Sequence, residues 1–451
     1  MKPRTAPTAP FFPDLARLLR DGRPAETRVA YGADGPVTWR DFAALIDAAA
    51  EQTPGDRHLL AEADPLRFAA ALLAARRKGS TPVIPPNFQP GTQTEFAARL
   101  EAERDTNRSD RTDAPPFAGI ELYTSGSSGE PKRIAKRWEQ LENECAALER
   151  LWGEALGPAT VLATVPHHHI YGLLFRLLWP LLAGRPWVCA VCAEPTTLAQ
   201  QLAAHPDALL VASPAHLDRL PALTDLAALP APRRVFSSGG PLAAASAQAL
   251  RAAWGAAPLE IFGSTETGGI AWRQRQHAVD DNDAAWTPLP GVSIDTAAKQ
   301  GLGALSVRSP FLPDTQPWLT DDAVECLPDG RFHLRGRLDR TLKLEEKRLS
   351  LPAMEAHLSR HPWIAAAALT PLQRGPRTRL GAVVTLTAAG QSALAADRRS
   401  LVDALRRHLA AWYDAVLLPR HWRFVPTLPY DERGKLPQPA LAGLFERSDR
   451  S

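Results

Sequence analysis

The sequence predicts an α/β protein: a large N-terminal domain of α/β layers with a small β-subdomain, followed by a small α+β C-terminal domain. Short apolar strands alternate with helical patterns from about residue 160 to residue 262, which is typical of a mainly parallel sheet. From about residue 285 the pattern changes to short strands. After about residue 340, helices combine with a strand in a segment the size of a small separate domain.

The first predicted elements are helices over residues 42–50 and 66–78 and strands over 81–84 and 117–123. One helix is predicted over 133–156, because Trp138, Leu141, Cys145 and Leu148 fall on one helical face. The alternation that follows comprises strands over 161–165, 187–191, 208–212, 234–236 and 259–262, and helices over 173–182, 198–205, 216–220 and 243–254.

The C-terminal part combines short strands from about residue 285 with a final α+β segment from about residue 340. Strands are predicted over 292–294, 304–307 and 331–334, with Pro328-Asp329-Gly330 as a hairpin-type turn. Helices over 352–360 and 398–412 flank a strand over 380–387. The last helix is rich in Ala and Arg, and we interpret its charges as a solvated face.

Charge and hydropathy exclude several classes of function. The 451 residues include 52 basic and 49 acidic side chains, a net charge of +3, so no nucleic-acid partner is expected. The N-terminus lacks an apolar core of signal-peptide length. The longest apolar candidate, residues 170–183, is interrupted by Arg176 and Pro180, so no membrane insertion is expected and the predicted location is cytoplasmic. Oligomeric state is not indicated.

The four cysteines, Cys145, Cys189, Cys192 and Cys326, show no repeated metal-ligand spacing. Cys189 and Cys192 form a C-x-x-C within an apolar run that is predicted to be a buried strand. Packing is therefore favoured over redox or metal chemistry.

The segment Leu122–Lys132 is the most informative part of the chain. It places glycines, hydroxyl side chains and a lysine directly after a predicted strand. Consecutive backbone N–H groups in such a loop can form an anion nest, and glycines let the main chain approach a phosphate. The spacing is not that of the NTPase P-loop. A simple Ser/Gly surface turn is the alternative.

A second cluster, Ile261–Gly269, presents Glu266 among hydroxyl side chains where a strand of the predicted parallel sheet ends. Ligands bind at the carboxyl ends of such strands. Beside a phosphate loop, Glu266 becomes a candidate Mg²⁺ ligand, since Mg²⁺ favours one or two carboxylates together with phosphate oxygens and water. A helix cap is the alternative.

Three further clusters carry polar chemistry. Asp321 and Asp322 precede Arg335–Arg340, a combination that could bind a ribose and a phosphate or form only a surface ion-pair network. Lys435 lies on a Gly-containing turn, where a lysine is normally only a solubilising charge. In Val165–Gly172, the adjacent histidines of an extended segment would point to opposite faces, so a gate to an aromatic-lined pocket is favoured over a metal site.

Taken together and in order, these motifs resemble the superfamily of AMP-forming acyl and aryl ligases, which includes acyl-CoA synthetases, peptide-synthetase adenylation domains and luciferases. The resemblance runs from about residue 120 to the C-terminus. The phosphate loop of this superfamily is commonly written Y-T-S-G-S/T-T-G-x-P-K-G, and Tyr123–Lys132 matches it closely. The chain is similar to the compact ligases that prime acyl carrier proteins in bacterial aryl-polyene and fatty-acid-like pathways.

The resemblance implies roles for individual residues. Catalytic roles fall to Lys435, Glu266, Thr265 and His169, with Glu266 also binding Mg²⁺. Asp339 would be the hinge. The nucleotide would be bound by Thr124, Ser125, Gly126, Ser127, Ser128, Gly129, Lys132, Gly239, Gly240, Phe262, Gly263, Asp322 and Arg337.

It also implies an activity and a domain organisation. A small carboxylic acid would react with ATP to give an acyl adenylate and pyrophosphate, and the acyl group would then pass to a phosphopantetheine thiol. The large adenylate-forming domain would span residues 1–336, with the phosphate loop at 123–132, the hinge at 337–340 and a mobile lid domain at 341–451.

Two single positions and one segment depart from the family pattern. Arg133 and Asp321 replace glycines, and Lys343–Arg348 replaces the usual K-x-x-G-x-R, with Glu346 where glycine gives the pantetheine chain room. Glu346 favours an acyl carrier protein slightly over free CoA as the acceptor. A non-catalytic adenylate-binding regulator is the alternative of another class, and the retained Lys435 argues against it.

Overall fold

The computed structural model describes residues 13–107, 117–125, 131–275, 284–299, 302–338, 341–344, 347–374, 377–431 and 436–446. As far as it describes them, the chain forms two compact units. The first comprises Met1–Ser293 and Val307–Trp318, and the second comprises Ile294–Ser306 and Leu319–Ser451.

The first unit contains two sheets and the helices that cover them. Its strands are β1 (Arg28–Gly32), β2 (Gly35–Thr38), β3 (Arg57–Leu59), β4 (Thr81–Ile84), β5 (Gly119–Ser125), β6 (Pro131–Arg137), β7 (Val161–Ala163), β8 (Trp187–Val191), β9 (Leu209–Ala212), β10 (Arg234–Ser238), β11 (Leu259–Ser264), β12 (Gly268–Gln274) and β13 (Thr287–Pro288). Its helices are α1 (Leu15–Asp21), α2 (Trp39–Gln52), α3 (Pro65–Lys78), α4 (Pro90–Asn107), α5 (Trp138–Leu156), α6 (Ile170–Gly172), a π-helix (Leu173–Leu178), α7 (Trp179–Ala183), α8 (Pro195–Ala204), α9 (Pro214–Leu223), a 3-10 helix (Leu226–Ala228) and α10 (Ala244–Trp254).

The larger sheet has nine strands in the order β13-β12-β11-β10-β9-β7-β8-β1-β2. The six central strands, β11 to β1, pair in parallel, whereas β12, β13 and β2 add antiparallel edges. Helices connect the parallel strands, as the alternating sequence pattern predicts. The predicted α/β class is confirmed.

The smaller sheet of the first unit has the order β3-β4-β5-β6. β5 and β6 pair antiparallel, with Thr124 opposite Lys132 and Ser125 opposite Pro131. The predicted helix over 133–156 is therefore wrong in its first turn, because residues 133–137 belong to β6 and the helix begins at Trp138. Ile134 and Lys136 are buried while their neighbours are exposed, which is a strand period that the apolar positions of α5 obscure in the sequence.

The second unit carries the remaining elements. Its strands are β14 (Ser293–Lys299), β15 (Leu302–Arg308), β16 (Trp318–Cys326), β17 (Phe332–Arg337), β18 (Thr341–Leu344), β19 (Lys347–Ser350), β20 (Ile364–Arg374), β21 (Arg377–Leu386) and β22 (His421–Phe424), and the boundaries between the units fall near the ends of β14, β15 and β16. Its helices are α11 (Leu351–Ser359), α12 (Ala388–Ala396), α13 (Arg398–Ala410) and α14 (Gln438–Glu446). Its sheets have the orders β14-β15-β16-β17, β18-β19 and β20-β21-β22. The predicted turn at Pro328-Asp329-Gly330 joins β16 to β17, and Gly330 has φ 85°.

Burial agrees with the predicted role of the cysteines. Cys145 and Cys192 are buried, Cys189 is half-buried, and all four cysteines are free thiols. Within the part of the chain that the structure covers, no cluster of three or more His, Cys, Asp or Glu side chains could hold a metal ion. In the same residues, no helix combines the length and the apolar character needed to cross a bilayer.

Candidate active site

Glu266 lies in a tight turn between β11 and β12. Ser264 and Thr267 close this turn: the Ser264 N–H donates to Thr267 Oγ1 at 3.1 Å, and the Thr267 N–H donates to Ser264 Oγ at 3.2 Å. Gly263 needs to be glycine, because a Cβ there would lie 2.3 Å from the Gly268 carbonyl oxygen. The turn therefore follows the carboxyl end of the parallel strand β11 and presents Glu266 there.

The Glu266 carboxylate accepts a hydrogen bond from Lys132 Nζ at 2.7 Å. This ion pair joins the second predicted cluster to the first, since Lys132 is the last residue of the phosphate-loop motif and lies on β6. Burial would raise the pKa of Glu266, but the hydrogen bonds from Lys132, the backbone and Ser264, together with the charge of Lys132, hold that pKa below its ordinary value. The carboxylate is therefore negatively charged at neutral pH and available to a cation.

Thr265 and Phe262 flank the same turn. The Phe262 ring lies 5.5 Å from the Trp286 ring, and both Phe262 and Thr265 are half-buried. The neighbouring strand β10 ends at Ser238, whose hydroxyl donates to the Ile261 carbonyl at 2.9 Å. Gly239 follows it with φ 96°, and Gly239 and Gly240 are exposed. The Gly-Gly turn thus emerges from the strand beside the one that leads to Glu266.

The histidines of residues 167–169 lie in a turn before α6, not in the extended segment that we expected. His167 is buried and its Nε2 lies 2.9 Å from the Glu62 carbonyl oxygen. Burial lowers the pKa of His167 to about 4. His169 is half-buried, with its ring 4.2 Å from that of His168, which in turn lies 4.5 Å from the Phe88 ring. An aromatic cluster is thus found where the gate is predicted.

The predicted ribose site lies in the second unit. Asp322 on β16 is directly opposite Arg337 on β17, and Arg337 Nη1 lies 3.9 Å from Asp322 Oδ1. Arg337 Nη2 also lies 3.5 Å from Asp321 Oδ2. The Asp322 side chain is 16% exposed, whereas Arg337 is about half exposed. The pairing brings together two residues that are fifteen apart in the sequence.

The other predicted site residues lie outside the described part of the chain. They are Gly126, Ser127, Ser128, Gly129, Asp339 and Lys435. The backbone of Ser125 is described as the last residue of β5. The roles of all these residues stay predictions.

Two residues beside the turn escaped the sequence analysis. Lys136 Nζ donates to the Glu266 carbonyl at 2.7 Å, and Glu144 Oε1 accepts the Gly269 N–H at 2.8 Å. Burial lowers the pKa of Lys136 to about 8 and raises that of Glu144 to about 7, and the attraction between them opposes both changes. Lys136 could have been found from the sequence only if residues 131–137 were predicted as a strand. In a strand, Lys136 lies on the same face as the apolar Ile134, which would indicate that it is buried.

The donor set at the turn fits a phosphate-bound Mg²⁺. Glu266 supplies a carboxylate kept negative by Lys132, and Mg²⁺ is usually held by one or two carboxylates together with substrate phosphates. A site of this kind needs no cluster of three protein ligands. Glu266 is therefore the residue that would hold the ion.

The sequence matches the family described as AMP-binding enzyme over residues 57–304. It is 32% identical over 318 residues to a 4-coumarate–CoA ligase of Rhodobacter capsulatus, an alignment that covers 69% of this chain and 73% of the relative. It is also 27% identical over 368 residues to an anthranilate–CoA ligase of Pseudomonas aeruginosa, with 74% of this chain and 68% of the relative covered.

Solved structures show the same fold at lower identity. ATP-bound MatB from Rhodopseudomonas palustris superposes with a TM-score of 0.77 at 18% identity, covering 96% of this chain and 99% of that one. A benzoate CoA ligase from Burkholderia xenovorans gives a TM-score of 0.74 at 19% identity, covering 95% and 99% of the two chains. The predicted enzyme class, an AMP-forming acid–thiol ligase, is confirmed. The chain belongs to the AMP-binding enzyme family.

Proposed function

We propose that this ligase activates an aromatic carboxylic acid with ATP and passes the acyl group to a phosphopantetheine thiol. The observation that carries the proposal is the ion pair between Lys132 and Glu266, which joins the phosphate-loop motif to the predicted Mg²⁺ ligand. The curated relatives named for 4-coumarate and anthranilate support an aromatic acid. The Phe88 ring, which lies 4.5 Å from the His168 ring, also suits such a substrate.

In the proposed reaction, a substrate carboxylate oxygen forms a bond to the α-phosphorus of ATP, and the bond to the leaving pyrophosphate breaks. Phosphoryl transfer of this kind depends mostly on positioning and charge neutralisation. Lys132 and the loop before it would hold the outer phosphates, and Thr265 would contact the α-phosphate. Lys435 would hold the attacking carboxylate near that phosphate. Mg²⁺, held by Glu266, would neutralise the charge on the phosphate oxygens.

Two acceptors are candidates for the acyl group. The names of the curated CoA ligases favour CoA. Glu346, which replaces a glycine of the pantetheine channel in the family pattern, favours an acyl carrier protein and is the reason for keeping this second candidate. The predicted cytoplasmic location accords with either acceptor and stays a prediction.

The test is a screen of aromatic and aliphatic acids for ATP-dependent hydroxamate formation and pyrophosphate release. We expect activity with one or more aromatic acids and little with short aliphatic acids. Parallel reactions with CoA and with a holo carrier protein then identify the acceptor by its thioester product. If no acid supports ATP-dependent hydroxamate formation, the proposed activity is wrong.

A further inference from the structure

The backbone of the Glu266 turn is held at both ends by buried charged side chains from outside the turn. Lys136 is 2% exposed, and besides the Glu266 carbonyl its Nζ donates to the Phe311 carbonyl at 3.0 Å. Glu144 is 4% exposed and accepts the N–H of Gly269. Lys136 therefore binds the turn at the residue that carries the carboxylate, and Glu144 binds it where β12 begins.

β6 contributes two lysines to Glu266. Lys132 and Lys136 are four residues apart and lie on the same face of this strand, since strand side chains alternate. Lys132 pairs with the Glu266 carboxylate, and Lys136 binds the Glu266 backbone carbonyl. The strand that follows the phosphate loop thus fixes both the side chain and the main chain of one residue.

Burying a lysine and a glutamate is costly unless their polar atoms are used. Here they bind the backbone of the turn, and a hydrogen bond from the Lys136 ammonium is roughly twice as strong as one between neutral groups. Two glycines let the backbone of the turn approach the Glu144 carboxylate closely. A Cβ on Gly268 would lie 2.5 Å from Glu144 Oε2, and a Cβ on Gly269 would lie 3.0 Å from Glu144 Oε1. Apolar side chains would fill this space at lower cost but could not hold the backbone.

We infer that Lys136 and Glu144 are positioning residues that hold the Glu266 carboxylate in the orientation needed to bind a phosphate-bound divalent cation. The inference rests on the proposed function, in which Glu266 is the metal ligand. Lys136 and Glu144 touch neither the metal nor the nucleotide in this scheme. Residues that orient metal ligands in this way typically change metal affinity or activity by about 10- to 100-fold when they are replaced.

The test compares the affinity for a non-hydrolysable ATP analogue with Mg²⁺ and with EDTA, by isothermal titration calorimetry. In Lys136→Met, we expect the Mg²⁺-dependent gain in affinity to fall about tenfold, with the metal-free affinity unchanged. Glu144→Gln, which keeps the shape of the side chain and removes its charge, should lose part of the same gain. Lys136→Arg, which keeps a cationic donor, should restore part of it.

Glu149→Gln is the matched control, because Glu149 lies on the same helix, α5, and pairs with the buried Arg185 at 2.6 Å. Glu149→Gln should lower the melting temperature and leave the Mg²⁺-dependent gain in affinity for the ATP analogue unchanged. If Lys136→Met does not fold, Glu144→Gln decides the question. Full retention of the Mg²⁺-dependent gain in affinity in Lys136→Met, or in Glu144→Gln if Lys136→Met does not fold, overturns the inference while the proposed function stands. A wild-type protein whose affinity ignores Mg²⁺ contradicts the metal role of Glu266, and the inference with it.

Discussion

Gly268 lies at a position where a side chain has no room. Its φ is 71°, and a Cβ would meet Glu144 Oε2 at 2.5 Å and Phe311 Cβ at 3.1 Å. We expect Gly268→Ala to lower the free energy of unfolding by about 2 kcal/mol or more, from backbone strain together with the clash. Urea denaturation measures this loss.

Gly255→Ala is the control for Gly268→Ala. Gly255 also has a left-handed φ, of 79°, but nothing lies within 4 Å of its Cβ position. Its replacement should cost only about 1 kcal/mol, the backbone cost alone. Equal losses in the two variants would contradict the close contact with Glu144.

His167 predicts a pH dependence of stability. Its pKa is about 4 in the folded protein, because it is buried, and about 6.5 when unfolded. The unfolded chain therefore binds more protons between these values, so stability is lost as pH falls through this range. Between pH 7 and pH 5 this one group should remove about 2 kcal/mol from the free energy of unfolding.

Urea denaturation of wild type and His167→Asn at both pH values tests this expectation. The variant keeps an N–H donor for the Glu62 carbonyl and has no imidazole to titrate. It should be less stable than wild type at pH 7, and the difference should shrink at pH 5. A difference that does not change with pH would rule out His167 as the titrating group.

At the scale of elements, the hairpin of β5 and β6 depends on a buried carboxylate. Glu121 is 1% exposed and accepts from Arg57 Nε at 2.8 Å and from Arg133 Nη2 at 2.6 Å. Arg133 stands where the resembled family often has glycine, and this contact gives the departure a structural reason. The second partner, Arg57 on β3, ties the other end of the small sheet to the same carboxylate.

Replacing Glu121 should therefore cost more than replacing Arg133, the more exposed of its two cationic partners. We expect Glu121→Gln to lose about 3 kcal/mol of unfolding free energy, since it leaves the half-buried Arg57 without its full partner. Arg133→Gly should cost about 1 kcal/mol or less, because the Arg133 side chain is 53% exposed and Arg57 keeps its own contacts. Thermal and urea denaturation of the two variants measure the order of these losses, and the reverse order would contradict the assignment.

The choice between CoA and a carrier protein is predicted to depend on Glu346, which lies in the sequence between β18 and β19. Leu344 pairs with Lys347, and Glu345 and Glu346 stand between them in the sequence and lie outside the described residues. If Glu346 repels the phosphates of CoA, Glu346→Gly should raise kcat/KM for CoA about fivefold, the effect of about 1 kcal/mol. Glu346→Gln distinguishes the effect of the charge from the effect of side-chain size, because it removes the charge and keeps the size. No change for CoA in either variant would argue against Glu346 as a determinant of the acceptor.

At the scale of the whole molecule, each compact unit carries residues that the resemblance assigns to the nucleotide. Glu266 and Lys132 belong to the first unit, and Asp322 and Arg337 belong to the second. We expect Lys435→Ala to abolish adenylation and to spare ATP binding, since Lys435 is assigned to the attacking carboxylate. Pyrophosphate release and equilibrium binding of ATP measure the two effects. Unchanged adenylation would remove the assigned role, and lost ATP binding would move Lys435 to the nucleotide.

Much of the fold could be predicted because the parallel strands are short apolar runs bounded by turn residues. Trp187–Val191 has the predicted bounds, and β4 and the hairpin at Gly330 were also predicted. The error at residues 133–137 arose because a strand continues into a helix without a turn residue between them. Strand β12 was missed because Gly268 and Gly269, which weaken a strand pattern, begin it.

The order and identity of the motifs, and hence the chemistry to expect, can be read from the amino-acid sequence, because phosphate loops and catalytic carboxylates need particular residue types at short spacings. Which distant residues meet becomes visible only in the folded chain. Lys132 and Glu266 are 134 positions apart, and Lys136 and Glu144 look like ordinary surface charges until the backbone of the Glu266 turn lies against them. The physical reason is that burial and pairing of charge depend on contacts between elements, which local patterns do not encode.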